Sequence, residues 1–431
     1  MSPAELAVEG PAPLRGRLRP PGDKGISHRA LLFAAMADGT SRLTGLADGD
    51  DVARTRAALA ALGVPVRDGD DGAVVVRGAG VDGLREPPHV LDCANSGTTM
   101  RLAVGLLAGR PFHSVLVGDD ALSRRPMARV AAPLRAMGAH VDGRDGGDYA
   151  PLAVRGGGLT GRRHELAGAS GQVKTALLLA GLQADGVTEI VEPAVSRDHS
   201  ERLLEALGVP LTRPDATTVQ VRAAAPRAFE LDVPGDVSSA AFFVVAAAIT
   251  PGSELVVEDV DLNPTRLGYL DALTRMGADV TATVGETRLG EPVGDLTVRA
   301  APLHGAEITV DEGFIDEVPA LAVAAAFADG VTEFRAVGEL RVKESDRLAA
   351  LEQELTQLGV GVEAGADRLV VRGGAPQAAT LKSHGDHRIA MAAAVAANAV
   401  PGGSTVRGWA AVAVSYPGFA DDLAALTGTR R

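Results

Sequence analysis

LAALGVPV (59–66), LRAMGAHV (134–141), LEALGVPL (204–211), LTRMGADV (273–280) and LTQLGVGV (355–362) are five copies of one pattern, L-x-x-[LM]-G-[VA]-x-[VL], and a degenerate sixth, LAALTG (423–428), closes the chain. Each reads as the last turn of a helix capped by glycine and followed by a strand. A second glycine series stands about 22 to 29 residues ahead of the first, at Gly39, Gly109, Gly186, Gly252, Gly330 and Gly403, each closing an Ala-rich apolar stretch and opening a strand. L-x-x-L-G alone is a common helix ending. Two interleaved glycine series in phase six times are a repeat, with a two-helix unit of about 70 residues.

The helices are followed by alternating or β-branched residues, as in VVVRG (74–78), LAVRG (152–156), VQVRA (219–223), LTVRA (296–300) and LVVRG (369–373). The unit therefore reads β-α-β-α-β-β, which places the chain in the α/β class with mixed (α+β) sheets. Six units predict two similar globules of three units each.

The chain has 431 residues, a net charge of −13, and 46% hydrophobic against 23% charged residues. That is the balance of a folded protein rather than a disordered one. Its most apolar stretches, 239–249 and 318–328, fall well short of the roughly 20 residues needed to span a bilayer, so no membrane span is expected. The opening MSPAELAVEG has no basic region followed by an apolar core, so no secretory signal is expected, and the single cysteine, Cys93, cannot form an internal disulfide. A cytoplasmic location is the expectation. The acidic balance argues against a general nucleic-acid binder, whose affinity rests on neutralising phosphates.

Against this background the cations are concentrated. Only four are lysines: Lys24, Lys174, Lys343 and Lys382. Lys24, Arg29, Arg101, Arg125, Lys174, Arg197, Lys343, Arg347 and Arg388 stand in loops leading into helices, such as PGDKGISHR (21–29), CANSGTTMR (93–101), GASGQVKTA (168–176) and SHGDHRIAM (383–391). Such loops turn unpaired N–H groups and the positive helix end towards an anion, and arginine adds bidentate hydrogen bonds. One arginine near a helix start is as readily a solvated surface residue; the set predicts substrates carrying phosphate and carboxylate, held where the two globules face each other. In RVKESDRL (341–348) helical spacing would project Lys343, Glu344 and Arg347 from one side, and IDEVP (315–319) puts Asp316 and Glu317 at the start of an apolar helix. Such carboxylates are ion-pair partners or N-caps until a substrate hydroxyl lies beside them, when one can act as general base.

Other motifs carry less. GGGLTG (156–161) matches G-x-G-x-x-G, but RRHELAG follows it and opens no apolar helix, so a dinucleotide site is not expected. His384, Asp386 and His387 lack the spacing partners of a metal site, and Cys93, with no paired base indicated, reads as a buried small hydrophobe.

Taken together, PGDKGISHR, NSGTTMR, RRP, SGQVKTA, SRDH, IDEVP, RVKESDR and GDHRIAM occur in an order that resembles the 5-enolpyruvylshikimate-3-phosphate synthases, or 3-phosphoshikimate 1-carboxyvinyltransferases, from about Pro21 to Pro417. The forms are similar to those of the class II subgroup. The resemblance implies two globules of three β-α-β-α-β-β units joined by two crossovers, one globule formed by 23–232 and the other by 1–22 plus 233–431. It implies transfer of the enolpyruvyl group of phosphoenolpyruvate to the 5-hydroxyl of shikimate 3-phosphate with release of phosphate, a step of the shikimate pathway towards chorismate and the aromatic amino acids. Addition would give a tetrahedral intermediate, which then eliminates phosphate. No metal or cofactor is implied, nor any nucleic-acid or membrane partner, and a monomer is expected.

Carried over by motif position, the resemblance makes Lys24 a residue touching both substrates, Asp316 the base on the 5-hydroxyl and Glu344 the group handling the methylene proton. Lys24, Gly97, Arg125, Gln172, Arg347 and Arg388 match the phosphoenolpyruvate site. Lys24, Gly25, Arg29, Ser170, Gln172, Ser196, Arg197, Asp316 and Lys343 match the shikimate 3-phosphate site, and Asn95 resembles a loop-shaping residue. There are departures: Gly25 replaces the usual Ser or Thr and offers only its backbone N–H, Val414 stands where many members have a lysine, and His199 replaces the tyrosine of the enteric type. Gly97 is not the alanine that blocks glyphosate in tolerant members, so sensitivity is expected. The sister family that uses UDP-N-acetylglucosamine carries a cysteine in the loop where this chain has GDDALSRRPM (118–127). A non-enzymatic relative on the same scaffold is the alternative of a different class.

Overall fold

The computed structural model describes residues 4–429. Six small sheets follow the six repeats. In the second repeat, Leu91–Asp92, His113–Val117, Tyr149–Arg155 and His140–Gly143 lie side by side in that order, the first pair parallel and the other two antiparallel. The third repeat has the same order with Arg163–Glu165, Val187–Val191, Thr218–Arg222 and Leu211–Asp215, and the fifth with Glu307–Thr309, Val331–Arg335, Arg368–Arg372 and Gly361–Ala364. These parallel pairs need a crossover helix, and the Ala- and Leu-rich segments Gly97–Leu107, Gly171–Gly181 and Val318–Ala326 supply it.

Two repeats borrow their first strand from a distant part of the chain. Thr40–Thr44 pairs in parallel with Glu230–Asp232, and Glu254–Asp261 pairs in parallel with Arg15–Leu18. In the sixth repeat the sheet has three strands, with Ser404–Arg407 between parallel Thr380–Lys382 and antiparallel Glu5–Val8.

The chain forms two compact units, one running up to Pro21 and continuing through Pro234–Glu286 and from Pro292 onwards, the other comprising Gly22–Val233 and Thr287–Glu291. Thr287–Glu291, part of the 233–431 segment read as one globule from the sequence, clusters with the second unit for a local reason. There the Glu291 carboxylate meets His199 Nδ1 at 2.9 Å, and the carbonyl of Gly290 accepts from Arg202.

Each unit has its own core. The first helix of each repeat is apolar on nearly all sides and is buried, as in Val237–Ile249, where Phe242, Phe243, Val244 and Val245 are all shielded from water; burying each such side chain contributes about 1.5–3 kcal/mol. The second helices are amphipathic, as in His199–Ala206, which turns Leu203 and Leu204 inwards and leaves Glu205 exposed. The helix at Gly97–Leu107 packs so closely on Gly171–Gly181 that a Cβ on Gly105 would lie 2.3 Å from the carbonyl of Ala176. GGGLTG forms a turn between two strands, with no helix after it. Among the described residues, no helix is long and apolar enough to cross a membrane.

Candidate active site

In the first unit the polar residues gather around Arg347. Asp346 caps the helix Arg347–Gln357 by accepting from Ala349 N at 3.0 Å, so Arg347 is its first residue, and its side chain is only 1% exposed. Its fork of donors is shared among three carboxylates: Nε to Asp386 at 2.8 Å, Nη1 to Asp316 at 3.1 Å and Nη2 to Glu344 at 2.7 Å. Burial works against the guanidinium charge, but Asp386, Glu344 and Asp316 outweigh it and hold the pKa above its ordinary value. Burial likewise pushes the Asp386 carboxyl up, and Arg347 more than reverses this, leaving it ionised. Asp386 also caps its own helix by accepting from Arg388 N at 2.9 Å.

Asp316 and Glu344 differ from Asp386 in exposure. Each keeps 18% of its side chain open to solvent while bound to the buried arginine, so each is oriented yet reachable by a substrate. Lys343 Nζ lies 3.3 Å from Glu339 and 3.8 Å from Asp316. Arg388 donates from Nη1 to the carbonyl of Asp316 at 2.9 Å and lies 3.7 Å from the buried Glu317.

The helical reading of 343–347 is corrected. Gly338–Val342 is a short 3-10 turn, Lys343 and Glu344 lie outside any helix, and the Asp346 cap starts the helix only at Arg347. Glu344 reaches Arg347 by folding back from the loop.

In the second unit Asp23 caps the helix Lys24–Met36 through Ile26 N at 2.7 Å, and Lys24 Nζ lies 3.0 Å from Asp51. Arg29 is a brace: it donates to Ser200 Oγ at 2.7 Å, to the carbonyls of Gly25 at 2.9 Å and Gly171 at 3.1 Å, and to Thr175 Oγ1 at 2.9 Å. It thereby ties together the helix starts at Lys24 and Gly171. Ser170 caps the latter helix, and Arg197 lies against Gly171, where an added Cβ would come within 3.2 Å of it.

Beside them, Asn95 accepts from Arg125 Nη2 at 2.7 Å and donates to Asp119 at 2.8 Å. Arg101 donates to Gln172 Oε1 at 2.7 Å, and Gln172 Nε2 donates to Thr98 Oγ1 at 3.0 Å. A Cβ on Gly97 would lie 3.0 Å from Arg101 Nη1 and 3.2 Å from Arg125 Nη1, so the missing side chain leaves room for both guanidinia. Fixed arginines, backbone N–H groups at capped helix starts and two reachable carboxylates can bind anions and move protons.

A sequence model of the family described as EPSP synthase (3-phosphoshikimate 1-carboxyvinyltransferase) matches residues 8–423. The chain belongs to the EPSP synthase family. A 3-phosphoshikimate 1-carboxyvinyltransferase of Synechococcus sp. (strain JA-3-3Ab) is 49% identical over 98% of this chain and 97% of its own. One from Chloroflexus aurantiacus (strain ATCC 29366 / DSM 635 / J-10-fl) is 50% identical over 97% of this chain and 98% of its own. The solved EPSP synthase of Acinetobacter baumannii superposes with a TM-score of 0.87 at 38% identity, covering 98% of both chains.

Within this EPSP synthase fold, the residues carried over from the motifs fall into two clusters, Asp316, Lys343, Glu344, Arg347 and Arg388 in one unit and Lys24, Gly25, Arg29, Gly97, Arg125, Ser170, Gln172, Ser196 and Arg197 in the other. The motifs set aside stay apart. His384 Nε2 pairs with Glu354 at 2.6 Å while Asp386 faces Arg347, and Cys93 is fully buried, its thiol pushed up to about 12 by burial. The supporting roles of two acids escaped the sequence reading, which weighed Asp386 only as a metal ligand and did not single out Glu192. Asp386 could have been found as the acid in the cap position of an apolar helix; Glu192, alone in IVEPAV (190–195), gave no signal beyond being an acid at the end of an apolar strand.

Proposed function

We propose that the protein transfers the enolpyruvyl group of phosphoenolpyruvate to the 5-hydroxyl of shikimate 3-phosphate and releases phosphate. The observation that carries the residue roles is the pair Asp316 and Glu344, partly exposed and both held by the buried Arg347. Asp316 takes the proton of the 5-hydroxyl as its oxygen bonds to the enol carbon, and Glu344, entering the step as the protonated acid, delivers its proton to the methylene, which becomes a methyl group. In the second half, phosphate leaves that carbon with the proton that Asp316 had taken, and the methyl group returns a proton to Glu344, restoring the double bond. Lys24 contacts both substrates. Arg125, Arg347 and Arg388, with Gln172 and the backbone at Gly97, hold phosphoenolpyruvate. Gly25, Ser170, Gln172, Ser196, Arg197 and Lys343 hold shikimate 3-phosphate, with Arg29 bracing the loops that carry two of them. No residue here is assigned to a metal.

We assign each of the two compact units to one three-repeat globule of the family, and expect a cytoplasmic monomer. The test is phosphate release from the purified protein given both substrates, with omission of either as control. Release that requires both supports the reading. Release with UDP-N-acetylglucosamine in place of shikimate 3-phosphate would transfer the protein to the sister activity, and no release with either acceptor would sink the enzymatic reading. Light scattering checks the monomer.

A further inference from the structure

Glu192 directly follows the strand Val187–Val191 and is buried, its side chain 2% exposed. It makes three close contacts. Oε1 accepts from the backbone N of Ser170 at 2.9 Å, while Oε2 accepts from the hydroxyl of Ser196 at 2.8 Å and lies 2.8 Å from Lys174 Nζ. Lys174 in turn lies 2.7 Å from Glu201, whose second oxygen has no hydrogen-bond partner. Burial pushes the Glu201 carboxyl up, and Lys174 only partly opposes it.

We propose that Glu192 is a positioning residue for the acceptor phosphate: one carboxylate fixes the loop before the helix Gly171–Gly181 and the loop carrying Ser196, and so sets the spacing of Ser170 and Ser196. This rests on the assignment of those two serines to shikimate 3-phosphate. Ser170 and Ser196 lie on separate loops, and among the described residues Glu192 is the group that bonds to both. The hydroxyl of Ser196 has one hydrogen, which Glu192 holds; when that hydrogen turns to a phosphate oxygen, Lys174 still satisfies the carboxylate. Among the described residues Glu201 meets Lys174 and neither serine.

The test compares Glu192→Gln with Glu201→Gln. Each removes one carboxyl from the same buried lysine and leaves the other in place, so neither strands Lys174 without an acid. Glu192→Gln should raise KM for shikimate 3-phosphate by about tenfold or more, the scale of a small misplacement of binding groups, with KM for phosphoenolpyruvate held within about twofold. Glu201→Gln should leave both constants near those of the parent protein. Glu192→Asp keeps the charge but withdraws it from the serines, and should show the same selective rise if the glutamine variant fails to fold. An unchanged acceptor KM in the folded Glu192 variants, or an equal rise in Glu201→Gln, overturns the proposal. Ser196→Ala separates the two levels: if it leaves the acceptor KM unchanged, the serine assignment fails and the positioning role with it, whereas a rise there without one in the Glu192 variants overturns the positioning role alone.

Discussion

Arg347 donates from Nε to Asp386 at 2.8 Å, and the two side chains are 1% and 0% exposed. Asp386 is the one fully buried carboxylate of the three that meet Arg347, and removing a partner from a buried ion pair commonly costs roughly 3–5 kcal/mol. Asp386→Ala is therefore expected to lower unfolding free energy by about 3–5 kcal/mol, measured by denaturant titration. Asp386→Asn removes the same charge but keeps an acceptor for Arg347 and for the helix cap, so any saving relative to alanine measures those hydrogen bonds. Equal losses would show that the charge itself carries the effect.

Asp316 and Glu344 share Arg347, but neither is its sole partner. Asp316→Asn and Glu344→Gln should therefore fold, with kcat reduced by about 10²–10⁴ in steady-state assays of phosphate release. A loss below about tenfold in either would remove that residue from proton transfer.

The space at Gly97 is bounded by the guanidinium ends of Arg101 and Arg125, 3.0 and 3.2 Å from an added Cβ. Flexible tips can retreat, so Gly97→Ala should fold normally while moving both cations. Crowding worth about 1–3 kcal/mol in the bound state corresponds to roughly 5–150-fold, and the inhibition constant for glyphosate should rise within that range. The parent protein should be inhibited by glyphosate in competition with phosphoenolpyruvate; inhibition of another pattern would count against the expectation.

Cys93 is fully buried, and its thiol is pushed up to about 12 from an ordinary 9.0 by burial, with Asp92 adding to the effect. The native thiol should therefore react with a thiolate-selective reagent at pH 8 only after denaturant is added. Above pH 9 the unfolded thiol loses a proton that the native one keeps, so fewer protons are bound in the unfolded state and stability falls as pH rises towards 12. Cys93→Ala should flatten that part of the stability profile, as read by denaturant titration at pH 8 and 10.

The repeat was legible because its signals are local. A glycine that ends a helix, such as Gly63 at φ 83° or Gly277 at φ 94°, sits where other residues are strained, and an apolar segment such as Val237–Ile249 reads as buried without any knowledge of its neighbours. The loops bearing Lys24, Gly97, Ser170 and Arg388 were legible for the same reason, since helix starts are written in their capping residues. Other features depend on pairing across the chain. No local pattern tells Glu230–Asp232 to complete a sheet with Thr40–Thr44, because a strand edge is satisfied by whichever strand the tertiary fold brings to it. The same holds for charge. Arg347 and Asp386 are 39 residues apart, and Glu192 meets Ser170, Lys174 and Ser196 only after two helices and a strand have packed. Sequence alone determined which segments fold and which loops carry cations; the tertiary structure decided which buried acid answers each cation, because a charge removed from water must find its partner wherever packing places one.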